Sequence, residues 1–262
     1  MKISDAIKGS GIPREDVEIL LARILAKDRT WVFGHAGDDL PADAWATLQT
    51  QIDRRKKFEP VAYILGKQEF FGRSFKADAR ALIPRPSTEG LVQLALDFLH
   101  SGQEAMRMIE EKIIGISKKL GELSDVRTVI DIGTGSGCIA VTLALERPDL
   151  RIIATDISRD ALSLAKENAK KFKVLDRIDF REGSGVDPMK DIAEPFVVVS
   201  NPPYIPSGRT LMPDVQNFEP HIALFGGTDG ADLLRDIVQF CTNHPQCRGY
   251  VMECGEEQKA FF

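Results

Sequence analysis

Residues 128–137 read Thr128-Val129-Ile130-Asp131-Ile132-Gly133-Thr134-Gly135-Ser136-Gly137. The run Thr128–Ile132, β-branched except for Asp131, predicts a strand. Three glycines at alternate positions let the backbone turn sharply and approach a ligand closely. A helical pattern over 138–146 begins directly behind them, and a helix N-terminus there offers N–H groups with no intrahelical partner. Plain turns use the same residues, so the loop gains meaning from its context, a strand before it and a helix after it.

The pattern repeats toward the C-terminus. Apolar runs at 151–155, 178–180, 196–200 and 250–253 read as strands, and helical patterns fall at about 159–172 and 230–241. Strands alternating with helices predict an α/β fold with a parallel, doubly wound sheet. The strand Arg151–Thr155 runs into Asp156, and an acid at the end of a second strand can accept both hydroxyls of a ribose. Nicotinamide dinucleotide and S-adenosyl-L-methionine both meet these terms. The spacing favours the latter: a G-x-G-x-x-G fingerprint read from Gly133 would need Gly where Cys138 stands. Read from Gly135 it would need Gly at Ala140, where the fingerprint also tolerates Ala.

The strand at 196–200 ends in Asn201-Pro202-Pro203-Tyr204. Ligands of open α/β sheets bind at the carboxyl ends of the strands, so this loop should face the glycine loop. The prolines fix φ and remove N–H donors. The Asn201 side-chain carbonyl and the Pro202 backbone carbonyl can hold both hydrogens of a planar –NH2 group, with the Tyr204 ring stacked on its face. Such a nitrogen is a poor nucleophile because its lone pair is delocalised. Anchoring its hydrogens turns the lone pair toward an electrophile, so the site works by orientation and electrostatics, with no metal.

Toward the N-terminus, a helix is expected from about Thr88 to Leu99. Residues 101–124 place Ala105, Ile109, Ile113, Ile116 and Leu120 on one helical face, which predicts a linker helix. The Phe-, Gly- and Pro-rich segment 61–86 predicts a β-hairpin and a rigid loop. The first 60 residues read as helical, with Val17, Leu20, Leu21, Ile24 and Leu25 on one face and Trp45, Leu48 and Ile52 on another. The run Arg54-Arg55-Lys56-Lys57 suits a solvated helix end or a contact with an acidic or RNA-bearing partner.

The chain has 262 residues, enough for a sizeable core without staples, and a net charge of -5. That balance argues against broad, non-specific nucleic-acid binding. Cys138, Cys241, Cys247 and Cys254 form no C-x-x-C pair, and His35, His100, His221 and His244 form no H-E-x-x-H, so reduced buried thiols are expected and no metal site. No signal peptide is evident and no stretch is long and apolar enough for a membrane span; a cytoplasmic location is the expectation.

The chain resembles the HemK/PrmC family, the glutamine methyltransferases of peptide chain release factors. The likeness rests on RRKKFEPVAYILGKQEFFGRSF, LIPRPSTE at 82–89, DIGTGSG, ATDIS, SNPPYIP and FEPHIALFGGTDG. It implies a class I S-adenosylmethionine-dependent methyltransferase domain of Rossmann-like fold over 88–262. A helical substrate-docking domain over 1–60 and a hairpin linker over 61–87 would precede it. It implies that Asp131 and Gly133, Thr134, Gly135, Ser136 and Gly137 serve the cofactor, with Asp156 on its ribose. Asn201, Pro202, Pro203 and Tyr204 would hold the glutamine amide, and Arg85 and Glu89 would organise the substrate loop. The implied substrate is the glutamine of the Gly-Gly-Gln motif of a release factor, with no stable nucleic-acid or membrane partner and nothing demanding more than a monomer. A ribosomal-protein glutamine, an adenine amino group of DNA or RNA, and a non-enzymatic cofactor-binding relic are the alternatives.

Three departures from the family stand out. Gly183-Ser184-Gly185-Val186 replaces the acidic or aromatic pair expected near the adenine, leaving Ser184 and Gly185 for that contact. The 101–124 connection is long. The chain ends at GEEQKAFF, where relatives continue into a final β-hairpin. A C-terminal truncation and an exposed edge beside the last strand are therefore expected.

Overall fold

The computed structural model describes residues 1–101 and 115–261. Two compact units form, Met1–Gly66 with Leu211–Phe218, and Lys67–Thr210 with Glu219–Phe262. In the first, helices Ile3–Gly9, Arg14–Ile24, Arg29–Gly34, Ala42–Lys56 and Val61–Leu65 enclose Val17, Leu20, Leu21, Leu48, Ile52 and Ile64. The two long helices bury the faces that their spacing predicts. Arg29–Gly34 is short and was not anticipated; Asp28 caps it by accepting from the Trp31 N–H at 2.7 Å. Val61–Leu65 is likewise helical, bounded by Pro60 and by Gly66 at φ 67°, so the hairpin is confined to Lys67–Lys76.

The basic run at 54–57 is largely consumed within this unit. Arg54 is paired with Glu59, and Arg55 with Asp16 at 2.6 Å and Asp214 at 3.4 Å; only Lys56 and Lys57 are exposed. Arg55 braces helices against one another and Arg54 closes the turn behind its own helix, which neither expectation for this run anticipated.

In the second unit, β1 (Lys67–Phe70) and β2 (Arg73–Lys76) form the hairpin. Phe71 and Gly72 turn it, both at positive φ, and Phe70 and Phe75 meet edge-on at 5.8 Å under it. The main sheet comprises β3 (Gly115–Lys119), β4 (Thr128–Ile132), β5 (Arg151–Asp156), β6 (Ile178–Glu182), β7 (Phe196–Ser200) and β8 (Cys247–Glu253). Their order is β3-β8-β7-β4-β5-β6. All are parallel except β3, which runs antiparallel to β8.

Alternation along the strands divides the core. Val129, Ile152, Val197 and Val251 pack with helices Pro86–Ser101 and Cys138–Glu146, while Ile130, Ile153, Val198 and Met252 face helix Asp232–Asn243. Both faces are covered, as a parallel sheet requires.

β3 corrects two expectations. Residues 115–119 of the expected linker helix are a strand; Ala105, Ile109 and Ile113 lie outside the described residues. The edge of β8 is occupied, because Gly115–Lys119 pairs with Gly249–Glu253. A row of unpaired N–H and C=O groups on β8 favours a strand there, and that demand overrides a local apolar spacing of helical type.

Candidate active site

The sheet order reverses between β4 and β7, and their carboxyl-end loops converge on a cavity of about 370 Å³. Gly133, Gly135 and Gly137 all adopt positive φ. Gly137 caps helix Cys138–Glu146, and a Cβ there would lie 3.0 Å from the Ala165 Cβ, so that helix sits close only because the residue is glycine. The Thr134 N–H donates to the Thr155 carbonyl at 2.9 Å, tying the loop to β5.

Asp131 lies beneath this loop, fully buried and not among the cavity-lining residues. Its Oδ2 accepts from Thr134 Oγ1 at 2.7 Å and the Ala140 N–H at 3.1 Å, and its Oδ1 is buried without a partner. Burial pushes its carboxyl up to about 7. Asp131 therefore braces the loop from below. Thr134 and Ser136 line the cavity together with Gly133 and Gly135, whereas Gly137 does not.

Asp156 reaches the cavity from the end of β5. Its oxygens accept from the Gly135 N–H and the Ser158 N–H, each at 2.9 Å. Desolvation raises its pKa, against the opposing pull of those backbone donors. Each carboxylate oxygen keeps a lone pair for a ligand hydroxyl. Beyond it, Ile157 is 50% exposed, and Ser184, Gly185, Leu233 and Asp236 complete that end of the cavity.

At the other end stand Asn201 and Pro203. Asn201 Nδ2 donates to Thr88 Oγ1 at 2.9 Å, and among the described residues no hydrogen bond ends on Asn201 Oδ1 or on the Pro202 carbonyl. Pro202 is buried. Tyr204 does not line the cavity as a stacking surface: its ring packs on the core that contains Ile132 and Met252, and its hydroxyl donates to Glu253 at 3.2 Å. Burial, ahead of the neighbouring Glu253 charge, raises the Tyr204 pKa.

Arg85 lines the cavity, held at 2.5 Å by Glu219, a buried carboxylate that also accepts from the Ile83 N–H at 3.0 Å. Glu89, expected in the substrate loop, instead accepts from the Phe71 N–H at 3.0 Å and fastens the hairpin turn to helix Pro86–Ser101. A carboxylate in a helix's first turn can serve a nearby backbone donor as readily as a ligand, and here the hairpin supplies one.

Residues 2–66 match the family model described as PrmC N-terminal domain, and residues 116–218 the one described as Methyltransferase small domain. The release factor glutamine methyltransferase of Koribacter versatilis is 35% identical, across 93% of this chain and 79% of that protein. That of Cereibacter sphaeroides is 34% identical, across 98% and 87%. The chain belongs to the release factor glutamine methyltransferase family. The fold is that of a class I methyltransferase, and S-adenosyl-L-methionine is the methyl donor.

The cavity suits the family's donor molecule. A Cβ added at Gly133 would meet no protein atom within 4 Å, so the glycine leaves open space beside the backbone. A carboxylate with spare lone pairs stands where a ribose diol can be read, and Ile157 and Leu233 offer apolar surface to a flat base. Among the described residues no helix is long and apolar enough to cross a membrane, and no cluster of His, Cys, Asp and Glu could hold a metal ion.

Four further residues at or beside the cavity, Thr88, Glu219, Glu253 and Asp236, are not among those expected from the sequence. Glu219 sits in FEPHIALFGGTDG and Thr88 in LIPRPSTE, so their motifs were visible without their roles. Glu253 carried one readable signal, an acid at the carboxyl end of a parallel strand.

Proposed function

We propose that the chain methylates the side-chain amide nitrogen of the glutamine in the Gly-Gly-Gln motif of peptide chain release factors. The observation that carries this reading is the Asn201 amide: its Nδ2 is committed to Thr88, which leaves Oδ1 as an acceptor at the cavity. S-adenosyl-L-methionine supplies an electrophilic methyl group on sulfur. Asn201 Oδ1 and the Pro202 carbonyl accept the two hydrogens of the glutamine –NH2. Pro202 and Pro203 keep those acceptors rigid, so little reorganisation accompanies reaction. With both hydrogens held, the nitrogen lone pair is biased out of conjugation with its carbonyl. The nitrogen would bond to the methyl carbon as the carbon–sulfur bond breaks to leave a neutral thioether, and the nitrogen would give one proton to water.

Asp156 reads the ribose, and the 133–137 loop receives the methionine portion. Ser184 and Gly185, with Ile157 and Leu233, surround the adenine. Arg85, fixed by Glu219, addresses the backbone of the incoming loop. The protein works as a monomer in the cytoplasm on a folded protein partner.

The test is transfer of labelled methyl groups to a release factor. Label should enter the wild-type tip and be absent from a Gln-to-Ala tip. Label persisting in that tip variant, or entering adenine of DNA instead, overturns the assignment. Asn201→Ala should abolish transfer while changing cofactor affinity by no more than about twofold, because its carbonyl addresses the acceptor.

A further inference from the structure

Asn201 is held by a hydrogen-bond network centred on the buried Glu253 carboxylate, whose member Thr88 also borders the cavity. The β7–β8 register pairs Ser200 with Met252, which brings the next residues, Asn201 and Glu253, side by side at the carboxyl ends of the strands. Helix Pro86–Ser101 begins over them and contributes Ser87 and Thr88 from its first turn. Glu253 Oε2 accepts from Thr88 Oγ1 at 2.9 Å. Its Oε1 accepts from Ser87 Oγ at 2.9 Å and from Tyr204 Oη at 3.2 Å. Thr88 and Glu253 are each 2% exposed, so bulk water does not compete.

We propose that Thr88 and Glu253 are positioning residues that set the direction of the Asn201 amide. The inference rests on the reading of Asn201 Oδ1 as the acceptor that holds the substrate amide. A threonine hydroxyl has one proton, and here Glu253 takes it. Only lone pairs of Thr88 Oγ1 then face Asn201, so the group opposite must be a donor, Nδ2. A flipped amide would set two oxygens against each other in a buried site with no hydrogen between them. The carboxylate thus fixes Thr88, Thr88 fixes the amide, and the acceptor is presented to the cavity before any substrate arrives. Tyr204 draws on the same carboxylate, so one buried charge organises both ends of the Asn-Pro-Pro-Tyr loop. Such a network is of most use when every member is satisfied.

The experiment compares Thr88→Val, Thr88→Ser and Glu253→Gln in the full chain. Valine keeps the volume and deletes the hydroxyl, and serine restores it. Thr88→Val should lower kcat by about thirtyfold, with KM for the release factor and cofactor affinity moved by less than about threefold. Thr88→Ser should return kcat to within about threefold of the parent. Glu253→Gln keeps one oxygen to accept from Thr88 and can donate to the Ser87 and Tyr204 hydroxyls, so it should lower kcat less than Thr88→Val does, by about threefold.

A second readout needs no turnover. The Asn201 side-chain amide, observed by ¹⁵N nuclear magnetic resonance, should show one slowly exchanging hydrogen in the parent and in Thr88→Ser, and none in Thr88→Val. Unchanged kcat in Thr88→Val, equal losses in the valine and serine variants, or identical Asn201 amide signals in parent and Thr88→Val would each overturn the proposal. Failure of the parent protein to modify a release factor would strike the functional reading alone, because the amide signal is read without substrate.

Discussion

Asn168 gives a quantitative test of how the glycine loop is supported. It lies on helix Arg159–Lys171 and is fully buried. Its Oδ1 accepts from the Lys76 N–H at 2.7 Å, and its Nδ2 donates to the Lys76 carbonyl at 3.1 Å and the Ser136 carbonyl at 2.9 Å. One side chain therefore ties β2 of the hairpin to the glycine loop. Asn168→Ala removes all three bonds. At about 1 kcal/mol each, with a further contribution from the buried Ser136 carbonyl left unpaired, the loss is about 3–4 kcal/mol. For a unit of this size that lowers Tm by about 10 °C. Circular-dichroism melting at neutral pH measures it. Asn168→Asp serves as a second probe: it keeps the acceptor for Lys76 N–H but turns an oxygen toward two carbonyls, so it should stabilise no better than alanine. An alanine variant melting within about 2 °C of the parent, or an aspartate variant equal to the parent, would refute the reasoning.

Asp131→Asn should change the pH dependence of stability. The folded-state carboxyl titrates at about 7, so between its ordinary range and that value the folded chain binds more protons than the unfolded chain. Stability from this group therefore falls as pH rises through about 4 to 7 and is level above. The asparagine variant should show a shallower decline of the urea midpoint across that window; parallel curves would dismiss the buried-carboxyl account. Asp156→Ala should weaken S-adenosyl-L-methionine binding by about 10- to 100-fold in calorimetry, since hydrogen bonds to a charged acceptor are lost; unchanged affinity would remove its ribose role. Gly137→Ala forces a side chain into φ 80° and to 3.0 Å from Ala165, and should cost about 1–2 kcal/mol in chemical denaturation, so a neutral substitution would show that the helices part freely.

Local pattern was sufficient for the elements that are buried on both faces. The strands Thr128–Ile132 and Phe196–Ser200 are buried at every position because helices cover the sheet on each side, and their mostly apolar runs are legible one residue at a time. The glycine loop and the Asn-Pro-Pro-Tyr loop stand out for a related reason: backbone geometry at positive φ and fixed φ restricts residue choice locally. Gly115–Lys119 was misread as helix because its conformation answers a need of β8, far away in sequence, and nothing within the segment encodes that need. Glu89 was assigned to the substrate by its neighbours in LIPRPSTE, although its partner is the Phe71 N–H of the hairpin.

The sequence by itself determined the fold class and singled out the glycine loop, Asp156 and the Asn-Pro-Pro-Tyr loop as candidates, since each depends on residue types at short spacing. Only the tertiary structure decided what those residues face. It placed Asp131 under the loop and outside the cavity, and turned Tyr204 toward Glu253. It also brought Thr88 and Glu253, distant in the chain, to the back of Asn201. Hydrogen-bond direction is a property of assembled partners: an asparagine has two equivalent ends until a neighbour's committed proton makes one of them the acceptor.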